Sequence, residues 1–120
     1  SDSVIFMGAK HRNELPEIIS IADAAVLYSH NEGSPLSIKE CIACGVPVIA
    51  NIVGDVAAVI DDGQTGYVLH KENNYELSQL ILKCFDNADG MKQNCIQKAQ
   101  KFSHINCFNQ VKNIYDQVLK

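Results

Sequence analysis

Four short, almost uniformly apolar runs constrain this chain more than any other feature. They are Val4-Ile5-Phe6-Met7-Gly8, Ala25-Val26-Leu27-Tyr28, Val46-Pro47-Val48-Ile49-Ala50 and Thr65 to Leu69. A strand with one face in water alternates apolar and polar residues; a strand covered on both faces does not. The stretches between the runs have helical periodicity. Glu14 to Ala22 carries Leu15, Ile18, Ile19 and Ala22 at helical spacing, with Pro16 in its first turn. Ser34-Pro35 predicts the start of a second helix, Ser as N-cap and Pro at the first helical position, running Leu36 to Cys44 and stopping at Gly45. Pro47 falls at the beginning of its run, where a missing N–H matters least. Val56 to Ile60 predicts a short helical turn, and Asp61-Asp62-Gly63-Gln64 a tight turn. Three amphipathic helices follow, carrying Leu77 to Phe85, Met91 to Phe102 and Ile105 to Val118. The expected fold class is α/β: a Rossmann-like parallel sheet of about four strands, helices on both faces, crossovers right-handed.

Composition excludes several functions. The charge sum is 10 Lys+Arg against 14 Asp+Glu, net −4. That excludes a nucleic-acid binder working by phosphate neutralisation, and argues against a polybasic membrane-surface domain. No apolar run approaches the roughly 20 residues needed to span a bilayer, and Ser1-Asp2-Ser3 does not read as a signal peptide. The 120 residues suffice for one domain with a real core. The five cysteines, Cys41, Cys44, Cys84, Cys95 and Cys107, are odd in number, and a disulfide framework is not expected. Cys41-x-x-Cys44 lacks the second close ligand pair that zinc requires, so the cysteines read as small apolar residues and no metal or other cofactor is expected.

Chemistry concentrates in Ser29-His30-Asn31-Glu32-Gly33-Ser34-Pro35-Leu36-Ser37-Ile38-Lys39-Glu40. This segment leaves the carboxyl end of a parallel strand and opens a helix, where open α/β sheets bind ligands. A helix start exposes unpaired N–H groups and about half a positive charge, which suits a phosphate. Gly33 permits close approach, and the N–H groups of Leu36 and Ser37 are candidate donors. Glu32 lies at the mouth and Glu40 between one and two turns into the helix. One ligand with a central phosphate could reach both. Spacing alone leaves equal room for a loop carboxylate favoured by the helix dipole and a solvated helix position.

These residues resemble a known family. Glu32-x7-Glu40, set in SHNEGSPLSIKECIACGVPVIA, is similar to the E-x7-E region of retaining, GT-B-fold glycosyltransferases, family four in particular. VIFMG…ELPEIISIADAAVLYS resembles the preceding strand–helix–strand, VGDVAAVIDDGQTGYVL the following Gly-rich loop and strand, and KFSHINCFNQVKNIYDQVL the closing helices. The resemblance implies that residues 1–120 are part of the C-terminal, nucleotide-sugar-binding domain, with the acceptor held by an N-terminal domain outside this chain. It implies Glu32 as the catalytic contact to the transferred sugar, and Gly33, Ser34, Pro35, Leu36 and Ser37 as the loop and helix start holding the donor diphosphate. Glu40 would hold the ribose hydroxyls. The implied donor is a UDP-, GDP- or ADP-sugar, transferred with retention and without a metal, in polysaccharide or glycolipid synthesis. Glu32 and Glu40 are then not a glycosidase acid/base pair.

The chain departs from the family in places. Gly54-Asp55 stands where the family often has Gly-Gly, and a Glu common near Ala58 is absent. The family's basic phosphate clamp has no counterpart here. Lys10 and Arg12 read as solvated loop charges, while His30 could face the pocket. In the doubly wound order, the four runs correspond to strands 3, 4, 5 and 6, which leaves exposed sheet edges and predicts self-association through such an edge, exchange of elements, or a neighbouring segment outside this chain. Alternatives are a non-catalytic nucleotide-binding or interaction module and another GT-B enzyme, such as a nucleotide-sugar epimerase. The acidic balance suits a cytoplasmic protein, peripheral to the membrane in the intact enzyme.

Overall fold

The computed structural model describes residues 3–119. Three strands form a parallel sheet in the order β1-β2-β3: β1 (Ala25–Leu27), β2 (Val48–Asn51) and β3 (Gly66–Leu69). The helices are α1 (Leu15–Ser20), α2 (Leu36–Ala43), α3 (Val56–Val59), α4 (Asn74–Ala99) and α5 (His104–Val118), with a 3-10 turn at Gln100–Phe102. The α/β class, the parallel sheet and helices on both faces are as the sequence implies.

The central strand explains the layering. Every residue of β2 is buried. Val48 and Ala50 pack with Ile38 and Ile42 of α2 and Val56 and Val59 of α3. Ile49, on the other face, packs with Tyr67 and with Cys84 and Met91 of α4. The period-two alternation of a strand thus feeds two apolar layers at once. α2 ends as expected: Gly45 has φ +78°, its N–H donates to Ile42 O, and Val46 N–H donates to Cys41 O. These are the paired bonds of a Schellman stop, which needs a residue free to adopt positive φ.

Three expectations are corrected. Val4 to Met7 is not a strand; it is exposed, Phe6 to 94%, so three strands form rather than four. A strand needs a neighbour's ladder, and none of the described residues offers one beside this segment. Second, the helices expected over Leu77–Phe85 and Met91–Phe102 are largely one 26-residue helix. Gly90 interrupts its pattern but lies in open space, where a glycine costs a helix only about 1 kcal/mol. Buried Cys84, Met91 and Cys95 on either side outweigh that cost. α4 also has a strong start, since Asn73 Oδ1 accepts from Tyr75 N and Glu76 N. Its far end passes beneath the sheet, where Lys98 reaches Asp61 at 2.6 Å and Cys95 joins the α2 layer. Third, Pro35 is the N-cap of α2 and not its first residue, and Ser34 does not cap.

The molecule is elongated, 61 × 33 × 29 Å, with a radius of gyration of 16.1 Å. A compact domain of this length measures about 13–14 Å. α5 contributes to the excess: it has no buried residue, and Ile105, Phe108, Ile114 and Val118 are all exposed.

Ile42 is fully buried between α2 and the sheet. Ile42→Ala should cost about 2–4 kcal/mol, read as a lower urea midpoint. An unchanged midpoint would show that the α2 layer does not carry the fold.

Candidate functional site at the carboxyl end of the sheet

The loops leaving β1 and β2 are fastened to each other. Asn51, the last residue of β2, is buried; its Nδ2 donates to Ser29 O at 2.7 Å and its Oδ1 accepts from Ser29 N at 2.9 Å. Ser29 Oγ in turn donates to Glu32 Oε1 at 2.9 Å. Glu32 therefore has a fixed orientation, set from the central strand through one serine. Asn51 was not singled out in the sequence. Its signal was a lone polar residue closing an apolar strand at the ligand-binding end.

A second fastening lies nearer the surface, between exposed Gly33 and half-buried Asp55. Asp55 N donates to Gly33 O at 2.9 Å. Gly54 has φ +53°, and a Cβ there would stand 2.1 Å from Gly33 O and 2.4 Å from Glu32 O. Only glycine fits so close a backbone crossing. Gly33 has nothing within 4 Å of the corresponding position and leaves open space at the mouth.

Ser34 departs from its expected capping role for a reason distant in sequence. Its Oγ donates to Asp55 Oδ2 at 2.6 Å and accepts from Lys39 Nζ, while Lys39 and Asp55 form an ion pair at 3.8 Å. With Ser34 engaged and the buried Pro35 at the N-cap, α2 begins with no side-chain cap. Leu36 and Ser37 are exposed. Their helix-start N–H groups lack intrahelical partners, as at every helix start. Glu40 follows on the same helix, half-buried. Glu32, Gly33, Ser34, Pro35, Leu36 and Ser37 are thus brought to one end of the sheet, with Glu40 further along α2.

Other candidates stand apart. His30 is exposed and lies 3.6 Å from Glu72, beside a cleft of about 200 Å³ lined by Ser29, Asn51, His70 and Lys71. Lys10 and Arg12 belong to the exposed leading segment. A roomier open groove, about 1040 Å³, follows α4 and is lined by Asp23, Asp62, Tyr67, Lys83 and Met91, and by none of residues 29–40. Four of the thiols are poor nucleophiles: burial pushes Cys84 up to about 11 and Cys95 up to about 12, and also raises Cys41 and Cys44. Among the described residues, no group of three or more His, Cys, Asp or Glu side chains could hold a metal.

A parallel α/β layer with its fastened loops and an open helix start at the carboxyl end defines a Rossmann-like class of domain. Comparison with known proteins gives the family. Residues 1–102 match the family described as glycosyl transferases group 1, and the chain belongs to it. A D-inositol 3-phosphate glycosyltransferase of Corynebacterium aurimucosum is 30% identical over 115 residues, covering 93% of this chain and 27% of the relative. Sucrose-phosphate synthase from Thermosynechococcus elongatus superposes with a TM-score of 0.87 at 25% identity, over 99% of this chain and 31% of that one. The pneumococcal O-GlcNAc transferase, solved with UDP and GlcNAc, superposes with a TM-score of 0.62 at 25% identity, over 88% and 23%. The chain spans a third or less of the length of these relatives. It corresponds to part of a GT-B glycosyltransferase.

The glycine pair supplies a test. Gly54→Ala should destabilise by about 2 kcal/mol or more through clash and positive φ, seen as a lower melting temperature. Gly33→Ala should leave melting nearly unchanged. Equal losses in both would contradict the crossing described above.

Proposed function

We propose that this chain is the donor-binding portion of a glycosyltransferase that takes its sugar from a nucleotide diphosphate. The observation that carries the proposal is the uncapped start of α2, with Gly33 open before it. The backbone N–H groups of Leu36 and Ser37, the Gly33–Pro35 loop and the helix dipole would receive the diphosphate. Preorganised dipoles of this kind stabilise the charge that grows on a departing diphosphate, and no metal is required for it. Glu32, oriented by Ser29, would contact the sugar hydroxyls, and Glu40 would accept from the ribose. The reading is of transfer with retention, in which the leaving phosphate helps deprotonate the acceptor. The acceptor would bind a second domain of the intact enzyme, in polysaccharide or glycolipid synthesis. The pneumococcal protein was solved with UDP and GlcNAc, which supports a nucleotide-linked sugar as the donor.

The intact enzyme would work on the cytoplasmic side, peripheral to the membrane. No described helix is long and apolar enough to cross one. The open β1 edge, where Val26 is exposed, and the apolar surface of α5 support self-association of this chain.

Thermal-shift titration with UDP, GDP, ADP and their sugars tests donor binding. One nucleotide series should protect the protein, and Glu40→Ala should abolish most of that protection. Equal protection in both proteins would remove Glu40 from the ribose role. Light scattering after size-exclusion chromatography should show dimers or larger species, and a monomer at every concentration would refute self-association.

A further inference from the structure

Lys39 and Asp55 have no part in the reading above, yet they meet Ser34 where that reading places the donor phosphates. Lys39 lies on α2 and, like every helical side chain, leans toward the helix start. Its ammonium consequently reaches Ser34, one residue outside the N-cap. A cation beside the positive end of a helix is unfavourable unless an anion stands with it. Asp55 is that anion: Oδ2 accepts from Ser34 Oγ at 2.6 Å and lies 3.8 Å from Lys39 Nζ. The fit is incomplete. Asp55 Oδ1 is buried with no hydrogen-bond partner among the described residues, an arrangement that costs free energy. Lys39 is also held on its other side, 5.8 Å from the centre of the Phe102 ring, at the outer range of a cation–π contact. This contact does not involve Asp55.

We propose that Asp55 is a built-in competitor for the donor phosphates, its carboxylate holding the cationic start of α2 until a diphosphate displaces it. The inference rests on the donor-binding reading. On displacement, Ser34 Oγ and Lys39 Nζ pass from Asp55 to the ligand, which brings more oxygens and more charge than a carboxylate. Lys39 then supplies the basic contact that Lys10 and Arg12 do not, since those belong to the exposed leading segment. The same contact makes Asp55 selective: a weakly charged ligand, such as a nucleoside or a free sugar, gains too little to displace it. The backbone bond from Asp55 N to Gly33 O is separate from the side chain, so the loop can stay fastened while the carboxylate turns away.

The experiment is calorimetric titration of the wild-type chain, Asp55→Asn, Asp55→Ser and Lys39→Gln with inorganic pyrophosphate and with UDP, GDP and ADP. Asp55→Asn keeps the shape and removes the charge. It should bind pyrophosphate and the preferred nucleotide about tenfold more tightly than wild type, roughly 1.4 kcal/mol, with Asp55→Ser in the same direction. Lys39→Gln should bind severalfold more weakly, and it decides the matter alone if neither Asp55 variant folds. Equal or weaker binding by Asp55→Asn overturns the proposal. If Glu40→Ala still loses nucleotide in that case, the donor-binding reading stands without it. No binding by any of the proteins overturns both.

Discussion

The carboxyl end of this sheet depends on one side chain, Asn51. β2 is buried on both faces, so its last residue must leave the core with its polar groups satisfied. The Asn51 amide does more than satisfy itself: it takes both backbone groups of Ser29 at the end of the neighbouring strand. The two strand ends are thereby tied outside the sheet ladder. Ser29, so fixed, has its hydroxyl free to orient Glu32. A contact buried in the scaffold becomes a direction for a carboxylate at the surface. Rigid strands can hold a polar group in position in this way better than a free loop can.

Much of the layered fold was legible because its signals are local. The Gly45 stop of α2, the apolar β2 run and the Asp61–Gln64 turn each depend on residues a few positions apart, and each appears where expected. The failures have the opposite character. Val4 to Met7 has the composition of a strand, but a strand is a property of two segments and not of one. Ser34 has the composition of an N-cap, but its hydroxyl is claimed by Asp55, 21 residues away in sequence. The apolar stripes Leu77–Phe85 and Met91–Phe102 read as two helices, yet Gly90 between them faces open space while Cys84, Met91 and Cys95 anchor the turns around it. The site itself was half legible. Glu32 through Glu40 form a contiguous run, whereas Asn51, Gly54 and Asp55 enter only because β2 lies beside β1.

The exposed apolar surfaces follow from the topology. β1 pairs on one side with β2, and its other side is open. Ala25, Leu27, Ile38 and Cys41 line a small apolar groove along that edge. α5 presents an apolar stripe to water over its whole length. Surfaces of this kind in one chain are characteristic of interfaces. They lie on the layer's flank and beyond α4, whereas the fastened loops depend on contacts between β1, β2 and α2.

The charge of the chain bears on how such a site can hold an anion at all. A net −4 repels a diphosphate at long range, but at ordinary ionic strength that repulsion is screened beyond about 10 Å. Within that distance, orientation decides. The dipole of α2 and the Lys39 ammonium converge on the helix start, and the nearest carboxylate of the facing loop, Asp55, is already hydrogen-bonded there. Glu32 is turned toward Ser29. An acidic protein can thus keep a local positive field, because its acidic side chains near the site are bonded in defined directions. The arrangement that orients those carboxylates also determines what an incoming anion must displace.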